Sequence, residues 1–279
     1  MTRNVLVLVV LAVGLSACGG DSGSSSDSEQ TDVVAAFYPL AWATERVADG
    51  SVQLRNLTPP GTEPHDVELT ARDVERIRSA DVVLYLGGGF QPAVEDAVEG
   101  ADGTTFDLLV NPVGRDPHVW LDPVRFAEIV KRIADALDRG DAAAKPVAEL
   151  RALDRDFTRG LSRCRSREIV TAHEAFGYLA RRYRLKQIAI TGVSPEAEPT
   201  PRQLEKVIGR VRETGATTVF FETLVSPRLA ETVARETGAE TAVLNPLEGL
   251  TEAQAERGED YLSLMRDNLA ALREALGCR

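Results

Sequence analysis

The sequence predicts an α/β protein in which two sets of alternating strands and helices, each with a mostly parallel sheet, lie on either side of one long helix. Short apolar runs typical of strands alternate with helical patterns, this alternation occurs twice, and a helical stretch at 142–163 separates the two occurrences. Such alternation is typical of parallel sheets covered by helices on both faces, and 279 residues suit two small domains. Residues 33–141 and 164–279 are therefore expected to form two lobes.

The first lobe begins with a short strand, and its helices have recognisable starts. Thr70 is a suitable N-cap with Asp73 at the third helical position, close to a capping box. Asp122-Pro123 begins another helix, because proline is favoured at the first helical position. The expected strands are 33–36, 52–57, 81–86 and 104–109, and the expected helices are 39–48, 70–77 and one from 123.

The second lobe follows the long helical stretch, whose apolar residues recur on one face. These residues are Val147, Leu150, Leu153, Phe157 and Leu161. Further along the chain, Thr200-Pro201 supplies both a cap and a proline for a helix start. The expected strands are 168–172, 186–191, 217–222 and 241–244, with helices at 175–183, from 201 and at 261–276.

The amino terminus is predicted to lie outside the folded lobes. Arg3 provides a positive charge, and the apolar stretch at 5–15 is too short to span a bilayer comfortably. The small residues before Cys18 resemble a bacterial lipoprotein signal, in which the chain is cut before the cysteine and lipid is added to its thiol. We therefore expect a signal peptide at 1–17, a lipidated Cys18 and a flexible tether at 18–32, which is rich in serine, glycine and acid. An ordinary secretory signal is the alternative, and either would export the protein.

Export to an oxidising compartment also affects the interpretation of the two remaining cysteines. Cys164 and Cys278 remain once Cys18 is assigned to the lipid, and in an oxidising compartment such a pair predicts a disulfide. Two free buried thiols are the alternative.

The formal net charge of -11 argues against nucleic acid as a partner and against electrostatic docking on anionic lipid.

The chain contains only three histidines, His65, His118 and His173, and each follows a strand-like run. Any one of these histidines taken alone could be a surface residue or a core residue whose ring is hydrogen-bonded to a backbone carbonyl. Together they favour ligands of one metal ion, since neutral imidazole binds zinc and related metals well. In open α/β sheets, ligands bind beyond the carboxyl ends of the strands. Because His65 and His118 belong to the first lobe and His173 to the second, the metal is expected in the cleft between the lobes.

Four motifs carry a resemblance to a known family. They are Gly61-x-x-x-His65-x-x-Glu68, Asp116-Pro117-His118-Val119-Trp120-Leu121-Asp122-Pro123, Thr171-Ala172-His173-x-Ala175-Phe176-x-Tyr178-Leu179 and Pro199-x-Pro201-x-x-Leu204. In combination they are similar to the zinc- and manganese-binding lipoproteins of bacterial ABC metal importers, and the resemblance covers the chain from about residue 33 to its end. It implies two Rossmann-like lobes joined by one long rigid helix at 142–163. It also implies that the protein captures a metal ion outside the membrane and hands it to a permease.

One feature of many zinc-binding members of that family is missing. Those members carry a long, acidic, histidine-rich loop between the first and second ligands. This chain has only residues 100–115 there, with no histidine. A role for that loop in scavenging or sensing zinc therefore has no support here.

The fourth ligand is expected to be a carboxylate or water, because zinc prefers four tetrahedral ligands and only three histidines are present. Some relatives place an acid in the loop that matches 245–250 and others use water; here Glu248 can fill that place. A solvent-facing loop acid is the alternative interpretation of Glu248. Glu63, Asp66 and Glu222 are weaker candidates. The nitrogen-rich ligand set favours zinc over manganese, which prefers oxygen ligands.

Other functions fit the sequence less well. A manganese-binding member of the same family is one alternative. Another is an exported zinc-dependent hydrolase with Glu174 or Glu63 as its base, although no His-Glu-x-x-His motif is present. Some relatives are also assigned a role in adhesion, which the sequence does not exclude. The protein is accordingly expected to be a monomeric binding protein and not an enzyme, anchored by its lipid on the outer face of the cytoplasmic membrane or on its periplasmic side.

Overall fold

The computed structural model describes residues 30–109 and 112–279. Over these residues it contains two sheets of four strands each, flanked by helices, which confirms the predicted α/β class. The predicted signal peptide at 1–17, the lipidated Cys18 and most of the tether at 18–32 lie outside the described residues. Within the described ranges, no helix is long and apolar enough to cross a membrane.

The first sheet consists of four parallel strands in the order β2-β1-β3-β4. Their bounds are β1 (Thr31–Ala35), β2 (Val52–Asn56), β3 (Val82–Tyr85) and β4 (Thr104–Asp107). β1 begins at Thr31 and not at residue 33, because Thr31 and Asp32 pair with Val52 and Gln53 of β2. The core strand β1 thus lies between β2 and β3, as in other doubly wound sheets.

The second sheet repeats this arrangement in the order β6-β5-β7-β8, again with all strands parallel. Its strands are β5 (Glu168–Thr171), β6 (Lys186–Ala189), β7 (Thr218–Phe221) and β8 (Glu240–Val243). Because all strands in a parallel sheet point the same way, the loops at their carboxyl ends lie along one edge. Both sheets therefore present one edge of loops to a possible ligand.

The connections between strands are mostly helical. The helices of the described residues are α1 (Tyr38–Ala48), α2 (Ala71–Ser79), α3 (Pro92–Val98), α4 (Pro123–Ala136), α5 (Ala144–Gly160), α6 (Gly177–Tyr183), α7 (Pro201–Thr214), α8 (Arg228–Thr237), α9 (Glu252–Glu256) and α10 (Tyr261–Ala275). The predicted starts at Thr70 and Thr200 are confirmed, since each forms a capping box. The sequence does not predict α3, α8 and α9: the first and last are short, and α8 begins without a side-chain cap.

The helix α5 lies where the linking helix is expected. It is shorter at both ends than 142–163, and a 3-10 turn (Gly140–Ala143) leads into it. Its apolar face is buried as predicted, with Leu150, Leu153 and Phe157 fully inaccessible. α5 packs against α4 and α10, so the main core is continuous from the first sheet to the second. A helix of 17 residues is about 25 Å long, enough to connect two small lobes.

A disulfide joins Cys164 and Cys278, as the sequence predicts. The backbone N–H groups of Arg165 and Ser166 donate hydrogen bonds to the carbonyl of Leu276 beside it. The disulfide therefore ties the segment that enters β5 to the tail that follows α10. This position is at the amino ends of the second-lobe strands, away from the loops at their carboxyl ends.

Candidate metal centre

The three histidines and Glu248 meet where the loops of the two sheets face each other. His65 follows β2, His118 follows β4, His173 follows β5 and Glu248 follows β8, so all four lie beyond the carboxyl ends of strands. One nitrogen of each histidine and one carboxylate oxygen lie within 4.8 Å of one another. The exposed fraction is 9% for His65, 0% for His118 and His173, and 2% for Glu248. Four ligand atoms this close, held out of water, form a possible site for one metal ion.

Glu248 lies at the centre of this cluster. Its Oε1 atom is 2.9 Å from Nε2 of His118 and 3.3 Å from Nε2 of both His65 and His173. The Nε2 atoms of His118 and His173 are 3.3 Å apart. All three Nε2 atoms thus lie around one oxygen of Glu248, and the four atoms are close enough together to bind a single ion.

The protonation of the site follows from its burial and its charges. Burial acts to raise the pKa of Glu248, but the three histidines, His173 above all, hold that pKa well below its usual range. Burial acts to lower the pKa of His173, but the carboxylates of Glu222 and Glu248 raise it to about 10. Burial also acts to lower the pKa of His118, but Asp116 and Glu248 raise it above its usual value. A metal ion that enters the site must therefore displace a proton.

Carboxylates hold two of the three rings from outside. Nδ1 of His118 is 2.8 Å from Oδ1 of Asp116, which also accepts the backbone N–H of His118 at 2.9 Å. Nδ1 of His173 is 2.5 Å from Oε1 of Glu222, which is itself buried. Each carboxylate accepts the Nδ1 proton, so Nε2 is the nitrogen that would give up its proton and bind a metal. The sequence indicates Glu222 only as a weaker ligand candidate and Asp116 not at all, although aspartate often bonds the backbone two residues further on.

His65 is held differently from the other two histidines. Among the described residues, the one hydrogen-bond partner of its ring is Glu248. The ring otherwise packs edge-on against Phe90, with ring centroids 4.7 Å apart. Its loop runs without helix or strand from the end of β2 to the start of α2. His65 is thus positioned by packing and by Glu248, and no carboxylate orients its Nδ1 atom.

The loop that carries Glu248 has a tightly fixed backbone. The side-chain oxygen of Asn245 accepts the N–H of Leu247 at 2.7 Å, and the side chain of Asn268 pairs with the backbone of Asn245 at 2.8 and 2.6 Å. Leu247 has a φ of 55°, in the left-handed region that residues other than glycine rarely adopt. Such a conformation persists only where the surroundings impose it. The loop therefore presents Glu248 to the histidines in one defined orientation.

Two hydrogen bonds join the lobes beside the site. Nε1 of Trp120, in the first lobe, donates to the carbonyl of Pro246 at 2.7 Å. The backbone N–H of Gly61, in the loop of His65, donates to the carbonyl of Leu250 at 2.7 Å. The loops of His65 and Glu248 are therefore bonded directly to each other across the cleft.

The remaining acids that the sequence indicates lie outside the cluster of four ligand atoms. Asp66 and Glu174 are exposed. Glu63 is half-buried, and its Oε1 atom is buried without a hydrogen-bond partner in the described part of the chain. Burial and the charge of Glu248 raise the pKa of Glu63 to about 7, while the backbone amides of the following turn act in the opposite direction. Glu63 therefore lies close to the cluster of four ligand atoms without being part of it.

A two-lobed α/β chain whose facing loops bring together three imidazoles and a carboxylate defines a metal-binding protein of the substrate-binding type. The chain belongs to the ZnuA family, described as zinc-uptake complex component A, periplasmic, whose family model matches residues 33–275. The family supplies the solute-binding component of a transport system and is not a family of enzymes.

Two curated relatives and one solved structure illustrate the similarity. The zinc-binding lipoprotein AdcA of Streptococcus pneumoniae is 34% identical over 304 residues; the match covers 97% of this chain but only 60% of that protein's length. The high-affinity zinc uptake system protein ZnuA of Bacillus subtilis is 32% identical over 302 residues, covering 96% of this chain and 94% of the relative. The Zn(II)-bound ZnuA-like domain of Streptococcus pneumoniae AdcA superposes with a TM-score of 0.76 at 36% identity, covering 88% of this chain and 99% of that one.

Proposed function

We propose that this protein captures zinc outside the cytoplasmic membrane and delivers it to the permease of an ABC importer. The observation that carries the proposal is the convergence of ligand atoms from His65, His118, His173 and Glu248 within 4.8 Å. We assign these four side chains as the zinc ligands. Membership of an uptake family supports the transport role, and the names of the relatives specify zinc.

The chemistry of the four ligands supports zinc over manganese. Three imidazole nitrogens and one carboxylate oxygen suit a borderline metal with tetrahedral preference, whereas manganese is better served by oxygen ligands. Zinc also binds a given nitrogen and oxygen site more tightly than manganese does. The manganese alternative would therefore need a second carboxylate ligand, and the buried carboxylate of Glu222 is already bonded to Nδ1 of His173.

The same geometry argues against the hydrolase alternative. A catalytic zinc site usually has three protein ligands and keeps the fourth position open for water. In the proposed site Glu248 would fill the fourth position, since its carboxylate oxygen lies within 4.8 Å of the three histidine nitrogens. Glu174, which could serve as a base, is exposed on the surface.

The cellular setting is part of the proposal. The lipid on Cys18 would hold the protein on the outer face of the cytoplasmic membrane or its periplasmic side, and the permease would be its partner. One chain supplies all four ligands, so we propose that it acts as a monomer. The proposed segments are a signal peptide at 1–17, a tether at 18–32, a first lobe at 33–141, a linking helix at 142–163 and a second lobe at 164–279.

Elemental analysis and metal competition test this proposal. Protein purified without added metal should carry about one zinc ion per chain, and manganese should compete far more weakly than zinc. His118→Ala should lose most of the zinc affinity, whereas Glu174→Gln, next to His173 but exposed, should keep it. Equal affinities for zinc and manganese, or no zinc binding by the unmodified protein, would contradict the proposal.

A further inference from the structure

Glu63 carries a carboxylate oxygen that has no hydrogen-bond partner among the residues that the structure describes. Its Oε1 atom is buried and accepts no hydrogen bond from residues 30–109 or 112–279, while Oε2 accepts the backbone N–H of Asp66 at 3.3 Å. Leaving a buried charged oxygen unpaired is unfavourable, and such groups in native proteins commonly have a functional reason. The protein therefore keeps one oxygen of Glu63 available.

That oxygen lies on the segment that joins the two site loops. Gly61 bonds to Leu250, and a Cβ atom built on Gly249 would lie 3.1 Å from the carbonyl oxygen of Thr62. Glu63 follows this contact and precedes His65, whose Nε2 is 3.3 Å from Oε1 of Glu248. The negative charges of Glu63 and Glu248 act on each other directly. A cation between them would relieve this repulsion.

His65 is also the ligand that the protein holds least firmly. His118 and His173 are fully buried and hydrogen-bonded to carboxylates through Nδ1. His65 retains 9% exposure and lies in a loop without regular structure. Exchange of the metal with the outside is therefore easiest through the bond to His65.

We propose that Glu63 is a transient zinc ligand that exchanges with His65 as the ion enters or leaves the cleft. The inference rests on the proposed zinc-binding function and adds a route for the ion. A bond forms between a carboxylate oxygen of Glu63 and the ion while the bond from Nε2 of His65 breaks, and His65 leaves as a neutral imidazole. Carboxylate oxygen is an ordinary zinc ligand, so the ion keeps four ligands throughout. In the resting bound state the ligands remain His65, His118, His173 and Glu248.

A ligand that acts only in transit has a distinctive kinetic signature. It lowers the barrier between the free and bound ion in both directions and leaves their energy difference unchanged. Loss of Glu63 should therefore slow association and dissociation by the same factor, with Kd unchanged. A resident ligand would instead change Kd, and a residue needed only for folding would lower the melting temperature without this matched effect on the rates.

The test measures both rate constants in the Glu63→Gln variant. The indole of Trp120 lies 5.1 Å from the His118 ring, so its fluorescence provides a signal for zinc arrival in stopped flow and for zinc loss to excess chelator. We expect both rate constants to fall by about tenfold, the effect of about 1.4 kcal/mol in the barrier. Glu63→Asp, which keeps a shorter carboxylate, should give rates between those of the other two proteins.

Glu252→Gln is the matched control. Its Cγ atom lies 3.8 Å from a Cβ built on Gly61, so it removes the same charge beside the same loop, but from an exposed side chain. It should leave both rates unchanged. Unchanged rates in Glu63→Gln, slower association alone, or a weaker Kd would each overturn the inference about Glu63. If the unmodified protein did not bind zinc, the proposed function itself would fail.

Discussion

The protein supports the two halves of its proposed ligand set in different ways. His118 and His173 have no exposed surface, and Asp116 and Glu222 hold their Nδ1 atoms at 2.8 and 2.5 Å. His65 lies in a loop without regular structure, and its ring is fixed by packing on Phe90 and by the shared contact with Glu248. The contrast divides the proposed site into a fixed half and a half that is held less firmly.

This difference shows how one site can combine tight capture with release. Carboxylates behind His118 and His173 bond to Nδ1 and keep those rings in the orientation that a metal needs. The less constrained His65 allows one bond to break without disturbing the others. A binding protein that must hand over its ion gains from having one ligand that moves more easily than the rest.

The largest effect should come from removing a ligand of the fixed half. His173→Ala leaves the buried carboxylate of Glu222 without its partner, and breaking such a buried pair typically costs about 3 kcal/mol or more. We expect zinc affinity to fall by more than about 100-fold, measured by competition with a chelator of known affinity. His65→Ala should lose less, because nothing buried is left unpaired. Equal losses in the two variants would remove the distinction between the halves.

The next effect should come from the supporting carboxylates themselves. Glu222→Gln and Asp116→Asn remove the charge behind one ring each, and each should weaken zinc binding by about 10- to 100-fold. Asp66→Asn, an exposed acid beside His65, is the control and should leave the affinity unchanged. Isothermal titration with a competing chelator would measure all three variants. No change in Glu222→Gln would show that the 2.5 Å contact does not orient His173 for metal.

A proton should leave the fixed half when zinc binds. Because the pKa of His173 in the metal-free site is raised to about 10, this ring holds its proton at all lower pH values and must lose it to bind zinc. Zinc affinity should therefore fall as pH decreases, by about tenfold per unit below that pKa. Titration calorimetry at pH 8 in buffers of different ionisation enthalpy counts the released protons. An affinity that is constant between pH 7 and 9 would contradict the raised pKa.

The smallest effect should be on overall shape. The helix α5 is continuous between the lobes, and the bonds from Trp120 to Pro246 and from Gly61 to Leu250 join them beside the site. Release through His65 then needs a local loop shift and only a small lobe movement. Solution scattering should give nearly equal radii of gyration for metal-free and zinc-loaded protein. A large expansion on zinc removal would favour a wide hinge opening over exchange at one ligand.

Much of the fold could be predicted because strand and helix periods alternate regularly. The cap residues Thr70 and Thr200 and the buried face of α5 match the prediction, since each depends on local sequence. The helices α3 and α9 were missed because they are short and their apolar pattern covers barely a turn or two. Strand β1 begins earlier than predicted because pairing with β2 extends it, which is a tertiary effect.

Less of the site than of the fold could be predicted from the sequence. The rarity of histidine and its place after strands predicted that His65, His118 and His173 lie together, and the strand-end rule pointed to the loop of Glu248, which the structure brings to the same cluster. The carboxylates that bond to the Nδ1 atoms of His118 and His173 could not be predicted from the sequence in the same way. Glu222 is 49 residues from His173 along the chain, and the fold alone brings the two side chains into contact. The lack of such a partner for His65 is likewise visible only in three dimensions.

X-ray absorption at the zinc edge tests the central claim most directly. The zinc-loaded protein should show three imidazole nitrogens and one carboxylate oxygen at about 2.0 to 2.2 Å. In Glu248→Ala, the oxygen ligand should become water and the zinc affinity should fall clearly, with the three imidazoles retained. A zinc ion with fewer than three imidazoles, or a Glu248→Ala variant with unchanged coordination and affinity, would contradict the assignment of His65, His118, His173 and Glu248 as the ligands.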